Sequence, residues 1–491
     1  MQNILSKFES YNKNNDVILI YIVWTACFVL ITMTGSNLIN DPDVYWHITT
    51  GRWILENGSV PAVDPFSHSM RGAPWHAHEW ASAVILAISY QAGGWYGVVT
   101  LAVFSAGLAL LILAWALSRH LRAFYVAVFI IFGLTMMKGH LFARPHILVL
   151  PVMVIWVKLI VEARENNKRP PLLAALLIVL WANMHGSFLI GVLIAGVLAA
   201  EAFFAAATKS ERKKVFYEWG LFLSIVLFAS LLTPHGFRGI IFPFEVLNMK
   251  GTLSVIKEWQ PPDFSRFNNV GLWLFFMSGA VLFRGLRIPI FRIILILVLL
   301  QLTLTHIRSA ELLGLIVPIL VAHSISTQWS DAPSKRSASA ARSTATMNIL
   351  SGLVAVGALL FLWTRDIAPA SKISPEDALK AAQQAGVSGN VLNDYDFGGF
   401  LIFNHIPVFI DGRADMYGDA FLKRFVQASF IQALTGGKSE SDFLKILSDY
   451  NISWSISQPA GELAKSMDNS VGWKEIYRDD YAIVHIRDER P

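Results

Sequence analysis

Two aspartates separated by a proline, Asp41-Pro-Asp43, open the stretch that carries most of the chemistry-bearing residues of this chain. Carboxylates two residues apart can grip a divalent cation together, or one can act as a base while a cation holds the other. Either can instead cap the helix that follows by accepting backbone N–H groups, and the two roles are compatible. His47 lies four residues after Asp43, on the same helix face. A carboxylate there can orient the imidazole as an acid/base or ligand pair, or simply hydrogen-bond it. Farther on, His76-Ala-His78-Glu79 sets two imidazoles beside a carboxylate. Without a second ligand set the triplet fits a substrate or cation contact through His78 or Glu79 better than a zinc site. Its plain alternative is a helix start at which Glu79 complements the dipole.

These groups share the segment 40–80, which holds five carboxylates (Asp41, Asp43, Glu56, Asp64, Glu79), four histidines (His47, His68, His76, His78) and Trp46, Trp53, Trp75 and Trp80. It is too polar for lipid, follows the first apolar run at 17–35, and is rich in the residue that favours the membrane–water boundary. A titratable, aromatic loop just outside a first transmembrane helix reads as a reaction centre held at the bilayer surface. Within it, 44–57 alternates Val44, Ile48, Ile54 and Leu55 with polar residues, as an interfacial amphipathic helix would, and Asn57-Gly58 stops it.

The whole chain supports a membrane setting. Its 491 residues are 54% hydrophobic and 15% charged, with a mean hydropathy of +0.49, whereas soluble domains carry roughly 25% charged residues. The net charge of +5 is confined to short loops between apolar runs, so it argues for the positive-inside rule and not for nucleic acid. The single cysteine, Cys27, lies in the first run and excludes disulfide or CxxC chemistry. Lys7 and Lys13 before a full-length run without a cleavage site predict a signal anchor with a cytoplasmic N-terminus.

Eleven spans of about 20 residues are predicted, at 17–35, 96–118, 123–140, 147–162, 171–184, 187–207, 215–233, 270–283, 288–305, 310–325 and 347–364. The run 81–92 is short and is read as a second juxtamembrane helix, because a crossing there would put the Lys/Arg clusters outside. Every histidine-bearing turn then falls on the face of the 40–80 loop. Arg144-Pro-His146, His185, His235 with Arg238, Glu258-Trp259 and His306-Ile-Arg308 all converge there. Arg144 and Arg308 offer forks for a phosphate, and His146, His185 and His235 add protonatable groups. Each is equally compatible with snorkelling or helix capping. Glu258 can bind a sugar hydroxyl with Trp259 as a stacking platform, or anchor its loop. The domains follow: a membrane domain over 1–325 with a first outer loop at 36–95, a Ser/Ala-rich cytoplasmic linker at 326–346, a last span at 347–364, and an α/β domain over 366–491 on the outer side. In this tail a helix is predicted over 375–385 and another over 420–449, with strands at 389–393, 400–403, 407–411, 452–457 and 481–486. Its Gly398-Gly399 pair reads as a close backbone approach or a turn leading into a strand. It is no phosphate loop, since no Lys-Ser/Thr follows.

An acidic pair directly after the first span, then Tyr45 and a juxtamembrane helix, resembles the first outer loop of GT-C glycosyltransferases, which include protein O-mannosyltransferases and lipid A aminoarabinose transferases. The proline-rich turn and helix of 73–93 resemble the same layout. Over nearly its whole length, in phrases such as DPDVYWHITTGRWI, WANMHG, TPHG, KEWQPP, YDFGGF and DGRADMYG, the chain is also similar to a group of bacterial multi-pass membrane proteins. The GT-C resemblance implies an all-α polytopic fold and sugar transfer from a polyprenyl-phosphate donor on the extracytoplasmic face. It maps the catalytic base or metal ligand to Asp41 or Asp43, with Pro42 standing where the family commonly has Glu.

The resulting expectation is an inner-membrane glycosyltransferase of GT-C type with Asp41 and Asp43 as catalytic and potential metal-binding residues. His47, His78, Glu79, Arg144, His146, His185, His235, Glu258 and Arg308 would contact substrate. The partners would be a polyprenyl-phosphate sugar, a lipid, glycan or protein acceptor, and membrane lipids. A divalent cation (Mg²⁺, Mn²⁺ or Ca²⁺) is compatible with the pair; no nucleotide or organic cofactor is expected. The alternatives are a non-catalytic scaffold or lipid carrier of envelope-polysaccharide assembly, and a polysaccharide polymerase or ligase. Polymerases and ligases tend to rely on a large later loop, whereas the chemistry here is concentrated in the first.

Overall fold

Apolar helices fill nearly the first three quarters of the chain. The computed structural model describes residues 2–254, 256–329, 338–430 and 438–488, with side chains over 17–254, 256–329, 344–425 and 443–488. Helix α1 (Gln2–Met33) leads to α2 (Asp43–Asn57) and α3 (Trp80–Leu117), then to α4 (Ala123–Met137), α5 (Pro145–Glu165), α6 (Ala175–Met184), α7 (Phe188–Ala205) and α8 (Lys209–Ser230). The bundle continues through α9 (Phe237–Leu247), α10 (Lys250–Leu253), α11 (Asn269–Arg284), α12 (Ile290–Thr305), α13 (Ala310–Gln328) and α14 (Ala338–Leu362).

Among the described residues, six helices are long and apolar enough to cross a membrane, within 80–117, 123–140, 145–165, 188–205, 307–328 and 344–362. Four more of the eleven expected spans are shorter apolar helices, at 17–33, 172–184, 269–284 and 290–305. The remaining one, 215–233, falls in α8, whose first turns carry Lys209, Glu211, Arg212, Lys213 and Lys214. Of the expected linker, 326–328 and 338–346 are helical and 330–337 lies outside the described residues.

Glycines set the two breaks that matter near the end of the bundle that carries the 40–80 segment. Gly94, at φ 57° and ψ −142°, interrupts α3 and separates a short N-terminal arm from the span, as the reading of 81–92 as its own helix requires. Gly58, at φ 64°, ends α2 where Asn57-Gly58 predicted a stop. The apolar side of helix α2 is covered by protein, however. Val44 and Ile48 are fully buried, and the helix is packed between α3 and the tail domain. Its apolar stripe has a protein partner in place of lipid.

The tail forms α15 (Glu376–Gln384), β1 (Asn390–Asn393), α16 (Tyr395–Phe403) and α17 (Ala414–Phe430). Helices Lys438–Asp449 and Glu462–Asp468 flank β2 (Ile452–Ser457), and β3 (Trp473–Arg478) and β4 (Ile483–Arg487) complete it. The four strands run in the order β1-β2-β4-β3, with β1 parallel to β2 and the other pairs antiparallel. The expected strand at 400–403 is instead the last turn of α16, and 407–411 is extended but joins only one bridge, Val408 with Ser67. The expected helix over 420–449 is two helices, and 431–437 lies outside the described residues.

That bridge belongs to a larger contact. Trp75 and Ala77 of the first loop share a buried apolar cluster with Leu392, Phe409 and Ile410 of the tail. Arg413, fully buried, bonds Asp64 Oδ1 at 2.6 Å and Asp411 Oδ2 at 2.7 Å, and the Tyr417 hydroxyl donates to Asp411 at 2.8 Å. Loop and tail therefore form one unit at one end of the bundle.

Candidate active site

The site grows from the turn between α1 and α2. Asp41 Oδ1 accepts the Asp43 backbone N–H at 3.0 Å, so Asp41 does cap the start of α2 while Pro42 fixes the backbone between the two acids. Asp43, the first residue of α2, accepts the Trp46 indole N–H at 3.0 Å and an ion pair from Arg144 Nη2. Arg144 sits just before α5, in extended backbone that Pro145 favours for the residue before it. Its guanidinium also faces Asp41 at 3.4 Å and donates to Glu258 Oε2 at 2.8 Å. Arg308, from the turn between α12 and α13, donates to Glu258 Oε1 at 3.1 Å.

Three carboxylates and two guanidiniums thus interlock across four separate loops. Burial works against the Glu258 charge, but Arg144 and Arg308 overcome it and hold that carboxyl well below the ordinary range. Asp41 goes the other way: burial pushes its pKa up, with Arg144 opposing. Asp41 Oδ2 makes no hydrogen bond among the described residues, so this carboxylate is both basic and available. Arg144 is kept protonated by Asp41 and Glu258 despite its burial.

A second group surrounds Glu79, at the start of α3. Its carboxylate lies 3.7 Å from His47 Nε2, 3.7 Å from His78 Nε2 and 3.4 Å from His185 Nε2. Burial pushes the Glu79 pKa up to about 8 and depresses those of His47, His78 and His185. At neutral pH the group is a protonated acid among neutral imidazoles. His47 thus answers to Glu79 and not to Asp43, the partner its spacing suggested. Trp46, Trp75, His76, His78, Glu79 and Asp415 line a cleft beside this group.

The tail completes both groups. A Cβ on Gly412 would stand 1.8 Å from Asp43 Oδ1, and one on Gly399 would stand 2.2 Å from the Pro42 carbonyl oxygen. The two glycine phrases of the tail are therefore the surfaces against which the Asp41-Pro42-Asp43 turn is pressed. Asp415, two residues after the buried Arg413, faces the cleft, and burial raises its pKa.

The Arg144 guanidinium faces both Asp41 and Asp43, the pair read as compatible with a divalent cation. Three other donors converge nearby: ring nitrogens of His140 and His146 and a carboxylate oxygen of Glu311 lie within 4.8 Å of one another, all on buried residues. His146 donates Nε2–H to the His140 carbonyl at 2.8 Å, and His140 donates Nε2–H to Glu258 at 3.1 Å. Each ring then presents Nδ1 as a lone pair, and that of His140 is buried without a partner. The set fits a metal, and two imidazoles favour Zn²⁺ over the Mg²⁺ or Ca²⁺ that a carboxylate pair suggests.

His235 lies beside the Glu79 group, its ring 5.2 Å from that of His76 at the cleft. Arg308 covers one face of Trp259 at 4.5 Å. Sequence reasoning missed His140 and Glu311, which sit at the ends of apolar runs and were absorbed into them. It also missed Asp415, within the conspicuous DGRAD phrase, whose place depends on how the tail docks.

No protein-family model matches the chain, and no curated protein matches it. Solved structures do. The apo oligosaccharyltransferase of Archaeoglobus fulgidus superposes with a TM-score of 0.51 at 11% identity, covering 90% of this chain and 69% of that one. Apo ArnT from Cupriavidus metallidurans gives a TM-score of 0.46 at 13% identity, covering 94% and 95%. At 11% identity the likeness to the oligosaccharyltransferase is one of fold alone.

Proposed function

We propose that this protein is a membrane glycosyltransferase that moves a sugar from a polyprenyl-phosphate donor to an acceptor hydroxyl. One observation carries the reading: a basic, available carboxylate, Asp41, lies beside two guanidiniums that three carboxylates orient at one end of an apolar bundle. A phosphate is already a good leaving group, so the enzyme mainly supplies a base and neutralises departing charge.

Asp41 takes the proton from the acceptor hydroxyl. The freed oxygen bonds the anomeric carbon as the bond from that carbon to the phosphate oxygen breaks, and the polyprenyl phosphate leaves with the electron pair. Attack opposite the leaving group inverts the anomeric configuration. Arg144 fixes Asp41 and Asp43 in place, and Arg308, the more exposed fork, meets the phosphate together with it. Protonated Glu79 and neutral His78 line the cleft with Trp75 and Asp415, a mixture suited to sugar hydroxyls and an apolar sugar face. His140, His146 and Glu311 would hold a cation, which supplies further positive charge for the phosphate when bound.

Native mass spectrometry with a polyprenyl-phosphate sugar tests the donor half of this reading. Wild type should retain the donor, and Arg308→Ala should weaken retention by roughly tenfold or more, since a hydrogen bond to a charged group contributes about 1.5–3 kcal/mol. A wild type that retains no such lipid contradicts it.

A further inference from the structure

Helix α5 carries His146 into the active site at one end and Glu165 into a different cluster at the other. The 19 residue steps from one to the other span roughly 28 Å at 1.5 Å per residue, about the thickness of a bilayer core. There His120, from the loop joining α3 to α4, and His323, on α13, meet Glu165 with ligand atoms all within 4.8 Å. His120 Nε2 lies 3.5 Å from Glu165 Oε2, a separation too long for a good hydrogen bond. It matches two neighbouring ligands on a tetrahedral metal, which with bonds of about 2.1 Å stand roughly 3.4 Å apart. The two rings are nearly perpendicular, at 88°, with centroids 5.8 Å apart.

The surroundings prepare the carboxylate. Arg292 donates to Glu165 Oε1 at 3.1 Å and to the Leu320 carbonyl at 2.8 Å, which leaves Oε2 turned to the imidazoles. Arg119 and Lys158 are both committed to Glu162. A cleft lined by His120, Glu165, Arg119, Lys158 and Glu162 runs alongside.

We infer that His120, Glu165 and His323 form a second transition-metal site, of Zn²⁺ type, at the end of the bundle away from the active site. Two imidazoles and one carboxylate leave a fourth position facing the cleft, and the bound ion ties the α3–α4 loop to the ends of α5 and α13. Nothing here depends on the transfer reaction.

The test is metal binding by the full-length protein in detergent, followed as Zn²⁺ content after dialysis and as the visible bands of tetrahedral Co²⁺. Wild type should bind one equivalent more than His323→Ala, whose target side chain is exposed and leaves the packing intact. The Co²⁺ bands should survive in His140→Ala/His146→Ala, be lost when His323→Ala is added to that variant, and be retained when His323→Cys is added in its place. Equal metal content and equal spectra in wild type and His323→Ala overturn the inference.

Discussion

Asp41 and Glu79 are both buried acids, yet they are set up for opposite work. Asp41 has Arg144 beside it and one free oxygen, while Glu79 has only imidazoles that burial keeps neutral. The Glu79 pKa rises from 4.5 to about 8 on folding, so the folded state binds more protons than the unfolded one across that window. Its contribution is fully present below 4.5 and is lost as pH rises through 8. Glu79→Gln should therefore flatten the fall in Tm between pH 5 and 8 and stabilise the protein at the alkaline end by a few kcal/mol at most. A Tm profile identical to wild type would show that the acid is not buried in this way. Of this site, Asp41, Asp43, Arg144, Glu258, Arg308 and Glu79 were legible because charges between apolar runs stand out and span parity sorts them to one face. The pairing was not: Arg144 bridging both aspartates, and His47 turning to Glu79, follow from how α2 rotates against α3.

Helix α2 is shaped by what covers it. Read alone, its stripe of Val44, Ile48 and Ile54 fits a helix lying on lipid, and only the tail that packs over it decides otherwise. The same ambiguity turned 400–403, a short apolar run with no period of its own, into an expected strand although it ends α16. Strand β3, reading WKEIYR at the sheet edge, has too little apolar alternation to be seen. The glycine phrases of the tail acquire a purpose from the packing. Gly412→Ala would drive a methyl into Asp43, and Gly399→Ala into the Pro42 carbonyl. Each substitution should lower kcat for sugar transfer by tenfold or more with little change in donor affinity. An unchanged kcat in both would mean that the Asp41-Pro42-Asp43 turn is not held from the tail side.

Taken whole, the molecule is a bundle of apolar helices with the candidate site at one end, closed over by the domain that follows α14. The lock between the two is the wholly buried Asp64–Arg413–Asp411 cluster. Removing the cation from such a cluster leaves two buried carboxylates without a countercharge, and Arg413→Ala should destabilise the protein by about 3–5 kcal/mol. Chemical denaturation should show this as an early transition of the tail and first loop. A midpoint equal to wild type would place the closure elsewhere.

The most direct measurement is mass spectrometry of purified protein incubated with a polyprenyl-phosphate sugar and a panel of hydroxyl acceptors, with wild type beside Asp41→Asn and Asp43→Asn. Wild type is expected to release polyprenyl phosphate and form a glycosylated acceptor. Asp41→Asn should retain the donor without turning it over, and Asp43→Asn should lose most of the rate through the displaced Arg144. Turnover by both variants at the wild-type rate would contradict a carboxylate base in this turn.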